Sequence, residues 1–339
     1  METPSKKKFN YLTYAAVIIP VFALLLVSLL HKRPAESVTY MKMLMGTVVE
    51  VTIMDGGSAK HERAAEAAFD EIKRLERLLS TYNPGSDVSR VSASAGSMVK
   101  VSPDLLKVTA EAVRVARLSD GAFDPTVGAL GMVWGYSGEK GRVPGKKEVG
   151  RSLQLVDYRK IAVDEAGSSV GLKEKGMVLN LGGIAKGYIV GRAVEALKKA
   201  GVKRGIIHAG GDMTVFQTGT DIPFTVGIQH PREKKLLGEV HLLNGAVATS
   251  GDYERFFIKD GVRYHHILDP ATGFPANRCS SVTIVTGDPT TADALSTAVF
   301  VMGPVKGMEL VESLDKVEAV IVDSNGRVTV SKGFKGKIF

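Results

Sequence analysis

From residue 59 to 80 apolar side chains recur every three or four positions, at Ala65, Phe69, Ile72, Leu75 and Leu79. This spacing predicts an amphipathic helix with one face against a core. The same period returns at Leu106, Thr109, Val113 and Ala116, and a third helix is predicted from about Ile184 to Ala200, stopped by Gly201, where glycine can supply a left-handed cap. Short β-branched runs predict strands at Met177 to Leu179, Gly205 to His208, Phe224 to Ile228, Val240 to Leu243, Phe256 to Ile258, Val282 to Thr286 and Val317 to Val322. Helices do not alternate strictly with strands. The pattern therefore predicts an α+β chain with a mixed, largely antiparallel sheet and helices packed on it, rather than a doubly wound parallel sheet.

One stretch breaks this amphipathic pattern. Residues Tyr11 to Leu30 form an uncharged run of 20, preceded by Lys6, Lys7 and Lys8 and closed by His31, Lys32 and Arg33. As a helix it would reach about 30 Å, enough to cross a bilayer. No small-x-small cleavage site stands near His31, so the run is expected to remain as an anchor. Cys279 is the sole cysteine, which excludes an acylated cysteine after the run and any disulfide within the chain. The leading lysines favour a cytoplasmic N-terminus. Residues 1–36 are thus expected to be a cytoplasmic tip and single-pass anchor in the inner membrane, and residues 37–339 one periplasmic catalytic domain.

Composition adds little beyond this. An apolar content of 44% with 24% charge suits a globular protein of 339 residues. The net charge of +8, partly from the anchor flanks and from Lys332, Lys335 and Lys337, suits an anionic lipid surface or a phosphorylated substrate. Basic runs interleaved with aromatics are missing, so nucleic acid is not an expected partner.

Five segments could carry chemistry. Asn180-Leu-Gly-Gly-Ile-Ala-Lys-Gly187 places glycines and Lys186 at the start of a helix, where free N–H groups can meet phosphate; the same residues would serve as a tight turn with a solvated lysine. In Thr290 to Thr297, a helix would set Asp293 and Thr297 at i and i+4 on one face, hard oxygen ligands suited to Mg²⁺, or simply a polar face. Tyr264-His265-His266 leads into the turn Asp269-Pro-Ala-Thr-Gly273, and of two adjacent histidines on a strand only one can face a site. Gly121-Ala-Phe-Asp-Pro-Thr-Val-Gly128 with Trp134, and Leu79 to Ser89, offer Phe123, Tyr82 and Trp134 as stacking faces and Asp124 and Asp87 as polar contacts, or else ordinary core and turn packing.

Taken in order, these segments resemble the ApbE family, the FAD:protein FMN transferases. The resemblance runs through Met45-Gly-Thr47, Ser80-Thr-Tyr82, Gly121 to Gly128, Leu181 to Gly187, Gly210-Gly-Asp212, Thr249-Ser-Gly251, His266 to Pro270 and Ala292 to Thr297, roughly residues 40 to 330. It implies an ApbE-like, T-fold-related domain that binds FAD as substrate and Mg²⁺ on its pyrophosphate. By the resemblance Asp293 and Thr297 hold the metal, with the Gly183 carbonyl and Ser296 beside them. Met45, Tyr82, Phe123, Asp124, Asn180, Lys186 and Ile267 fall where the family contacts FAD, and His266 matches its catalytic histidine. The family commonly has aspartate where this chain has Asn180, and many relatives are lipoproteins where this chain has an apolar run.

The implied reaction is attack of a Ser or Thr hydroxyl of a target protein on the FMN phosphorus, with AMP leaving. Implied targets are membrane redox subunits such as those of sodium-pumping quinone reductases (Nqr) or Rnf-type complexes. Two alternatives keep the same site: a Mg²⁺-dependent FAD pyrophosphatase releasing FMN and AMP, and a flavin-binding protein without turnover.

Overall fold

A computed structural model describes residues 37–55, 59–135 and 142–339. The predicted anchor, residues 1–36, lies outside the described residues. Among those described, no helix is long and apolar enough to cross a membrane.

Eight strands form the main sheet: β1 (Val38–Leu44), β2 (Thr47–Ile53), β3 (Arg204–Ala209), β4 (Asp212–Gln217), β5 (Gly245–Gly251), β6 (Cys279–Thr286), β7 (Val317–Asp323) and β8 (Val328–Val330). They lie side by side in this order, and every neighbouring pair is antiparallel. The antiparallel sheet expected from the pattern is thus found. Because direction alternates, the β1–β2 turn, the β3–β4 turn and the β5–β6 connection emerge at one end. The β2–β3, β4–β5 and β6–β7 connections emerge at the other.

The helices are α1 (Ala59–Leu79), α2 (Asp87–Ala93), α3 (Pro103–Leu118), α4 (Gly128–Trp134), α5 (Lys146–Leu153), α6 (Ala185–Lys199), α7 (Pro289–Met302) and α8 (Pro304–Glu312). The predicted face of α1 is the buried one, with Phe69, Ile72 and Leu75 at 1% exposure or less. Removing each such side chain from water is worth roughly 1.5–3 kcal/mol. Helix α6 ends at Lys199 with Ala200 as its cap, and Gly201 takes the left-handed conformation expected of it (φ 88°). One expectation is corrected: Met177 to Leu179 is not a strand. Met177 and Leu179 are buried, but only Val178 makes a ladder contact, an isolated parallel bridge to Val127.

Helices α1, α6 and α7 pack together, and α7 lies over β5 and β6. The opposite face is covered by strands Phe224–Gln229 and Leu236–Leu242, joined at the edge by Gly336–Ile338. Phe224, Val226 and Val240 there cluster with Val215, Val247 and Val285 of the main sheet. Cover on both faces explains why β6 is an almost uninterrupted buried run rather than an alternating one.

Candidate active site

The site is built around the joint between α6 and α7. Gly187 and Gly191 let α6 press against the start of α7: a Cβ on Gly187 would lie 2.0 Å from the Pro289 carbonyl oxygen, and one on Gly191 2.9 Å from Pro289 Cγ. This approach lets the Gly187 amide donate to Asp293 Oδ2 at 2.9 Å. The first amides of a helix have no partner within it, so the carboxylate satisfies a donor that would otherwise be orphaned.

Around Asp293 stand hydroxyls and one cation. Helix α7 does set Asp293 and Thr297 on one face, and Ser250, at the end of β5, lies 2.8 Å from Ser296 Oγ and 3.2 Å from Thr297 Oγ1. The Ser296 hydroxyl donates to the Asp293 carbonyl at 2.8 Å. Gly183 is seated against Thr297 and Phe123, where a Cβ would come within 3.0 Å of Thr297 Oγ1 and 3.1 Å of the Phe123 ring. Lys186 Nζ donates to Asp212 Oδ2 at 2.6 Å. Asp212 is the first residue of β4, placed by the tight Gly210-Gly211 turn, where a Cβ on Gly211 would lie 2.6 Å from the Thr249 carbonyl.

Two buried carboxylates and one partly exposed ammonium perturb one another. Burial pushes the Asp293 carboxyl up and the charge of Asp212 adds to it, against the pull of Lys186 and of the α6 amides, to about 7. Burial alone would lower the Lys186 ammonium, but the charges of Asp212 and Asp293 outweigh it and hold it above its ordinary value. Among the described residues no group of three His, Cys, Asp or Glu could hold a metal. What the joint offers is a single carboxylate with neighbouring hydroxyls. That hard-oxygen set fits Mg²⁺, which takes few protein ligands and completes its shell with phosphate and water.

The two histidines diverge as expected. His265, the last residue of its strand, is buried, with Nε2 2.6 Å from the Ala276 carbonyl and its ring edge-on to Phe300. His266, by contrast, is exposed. The protein packed around it, and next the neighbouring His265, still push its pKa down to about 4. Its Nδ1 lies 3.3 Å from the Arg255 carbonyl, an acceptor only, so the proton belongs on Nδ1 and Nε2 keeps a lone pair. Ile267, next in the chain, is buried in the main core.

The remaining sequence candidates divide. Met45, in the left-handed region (φ 54°), is pinned by its amide donating to Glu76 Oε1 at 2.9 Å. Glu76 and the exposed Tyr82 both line a cavity of about 360 Å³. A Cβ on the adjacent Gly46 would lie 3.1 Å from Arg255 Nη2, which links this turn to the residue behind His266. Asp124 faces inward: its oxygens accept from the Thr126 amide and hydroxyl and from the Tyr158 amide, and burial raises its pKa. Asn180 Oδ1 accepts from the Gly182 amide at 2.8 Å and shapes the glycine loop. For two stacking or polar candidates the structure shows the packing alternative. Trp134 is fully buried against Tyr264 and Phe274 with Nε1 donating to the Gly273 carbonyl, and Asp87 is occupied by Arg90 and the Ser102 amide.

The sequence model of the ApbE family matches residues 45–321. The chain belongs to the ApbE family. It is 33% identical to the FAD:protein FMN transferase of Treponema pallidum over 88% of this chain and 87% of that one. It is 31% identical to a Klebsiella pneumoniae protein of the same name, over 86% and 91%. Among solved structures, the ApbE protein of Thermotoga maritima superposes with a TM-score of 0.83 at 36% identity, covering 88% of this chain and 99% of that one. The flavin transferase ApbE from Vibrio cholerae superposes with a TM-score of 0.79 at 29% identity, covering 89% and 99%.

Within the ApbE pattern, the segments Gly210-Gly-Asp212 and Thr249-Ser-Gly251 were visible in the sequence. The partners of Asp212 and Ser250 were not. No local period signals that Asp212 meets Lys186, or that Ser250 meets Ser296 and Thr297.

Proposed function

We propose that this chain is an enzyme that moves FMN from FAD onto a Ser or Thr hydroxyl of a target protein. The observation that carries the reading is the α6–α7 joint, where a helix N-terminus and Lys186 adjoin Asp293, Thr297, Ser296 and Ser250. A lysine cation and hard cation ligands in one place suit a metal-bound pyrophosphate. The transferase names of the relatives support the same reaction.

In this reading Lys186 holds the pyrophosphate, and Asp293, Thr297 and Ser296 with the Gly183 carbonyl would hold Mg²⁺. When bound there, Mg²⁺ would supply charge neutralisation at the pyrophosphate. Met45, Tyr82, Phe123 and Ile267 border the flavin nucleotide. Asp124 and Asn180 act on it through the loops they brace. The acceptor oxygen forms a bond to the FMN phosphorus, the bond from that phosphorus to the AMP oxygen breaks, and Nε2 of His266 takes the hydroxyl proton. Proton transfer of this kind contributes about 10²- to 10⁴-fold in rate.

The N-terminal apolar run supports an inner-membrane anchor with the catalytic domain in the periplasm. A target of Nqr or Rnf type would then be met in the same membrane plane. The test is to incubate the full chain with FAD, Mg²⁺ and a candidate acceptor, then read in-gel flavin fluorescence and acceptor mass. Covalent FMN on one Ser or Thr is the expected result; free FMN and AMP with no labelled acceptor, across several candidates, would point to a pyrophosphatase.

A further inference from the structure

The glycine-flanked carboxylate of Asp212 has no place in the reaction just derived, yet it is buried and its hydrogen-bonded partner is Lys186. Lys186 precedes Gly187, whose amide holds Asp293, so the lysine stem starts beside the metal carboxylate. Its ammonium feels the charge of both aspartates. A long flexible stem in that position would fold back onto Asp293 unless something held it elsewhere. Asp212 does so, at 2.6 Å, from a backbone fixed by ladder pairing to Ala209 on one side and Ala248 on the other.

We infer that Asp212 is a positioning residue that holds the Lys186 ammonium away from Asp293, leaving that carboxylate free for the divalent cation. Without it, one lysine and one carboxylate side by side neutralise each other and the cation loses its charged ligand. With it, the ammonium is paired to Asp212 at 2.6 Å and the Asp293 carboxylate stays available to the metal. The inference rests on the metal reading of Asp293.

The experiment is a double-mutant cycle read as Mn²⁺ affinity, by EPR or calorimetry without FAD, on the full-length protein, with thermal melts as a check on folding. Asp212→Asn should weaken Mn²⁺ binding by about 10- to 100-fold, the usual cost of losing an outer-shell partner. In a Lys186→Met background the same substitution should change affinity by less than about twofold, because the competing ammonium is gone. Equal losses in both backgrounds would mean that Asp212 acts only through its own charge, and would overturn the inference, as would an unchanged affinity for Asp212→Asn. If Lys186→Met fails to fold, Lys186→Gln supplies the neutral background. Asp293→Ala separates the two readings: Mn²⁺ binding that survives it sinks the metal assignment itself, whereas its loss together with an additive cycle sinks only the role of Asp212.

Discussion

The amide of Gly187 reaches the carboxylate of Asp293 at 2.9 Å only because residue 187 has no side chain, since a Cβ there would stand 2.8 Å from Asp293 Cβ and 2.0 Å from the Pro289 carbonyl. Gly187→Ala should therefore drive α6 and α7 apart. Overpacking of this kind costs roughly 1–3 kcal/mol. The expected outcome is a lower melting temperature and weaker Mn²⁺ binding in the same variant; a variant that melts lower with metal affinity intact would show that the joint does not set the ligand geometry.

Metal affinity should depend on pH through Asp293. Its carboxyl is raised to about 7 from an ordinary 3.8, so between those values the folded protein holds a proton that the unfolded chain has released. Its contribution to stability therefore falls as pH rises through that window, while the metal-binding carboxylate form grows. Mn²⁺ affinity should drop about tenfold per pH unit below about 7 and level off above it. Titrations across that range check this, and a flat profile would refute the assignment.

His266 is neutral over the whole working range because its pKa is pushed down to about 4 from 6.5. The proton-accepting form is present above about 4 and is lost as pH falls through that value. With metal saturating, the acid limb of turnover assigned to His266 should lie near 4. His266→Ala should lower kcat by about 10²- to 10⁴-fold with little change in FAD affinity. Equal losses in kcat and in FAD binding would instead make His266 a binding residue.

Cys279 should be inert in the folded protein. It is 2% exposed, and burial, followed by the charge of Asp323, pushes its thiol up to about 12. Since the thiolate is the reactive form, alkylation by iodoacetamide at about pH 8 should be slow in the native state and fast in denaturant. Intact-mass measurement reads both rates; fast native labelling would mean that β6 opens readily.

Much of this protein was legible in its sequence. The 3.6-residue period of α1 and α3, the glycine stop after α6 and the i, i+4 pair Asp293 and Thr297 are properties of near neighbours, and the pattern that encodes them lies within one element. Strand alternation anticipated that only one of His265 and His266 would be buried, although the strand ends at His265 and His266 stands in the bend after it. What the sequence alone left open were the pairings across the chain: Lys186 with Asp212, 26 positions away, Ser250 with Ser296, 46 away, and Gly187 with Asp293, 106 away. Those depend on sheet register and on how closely two helices approach, which no local period encodes. For the same reason the sequence left Asp87 and Trp134 open between ligand contact and packing, and packing supplied them donors and acceptors of their own chain. Sequence determined which elements form and which side chains could do chemistry; tertiary structure decided which of those side chains face one another, because burial and register assign each polar atom its partner.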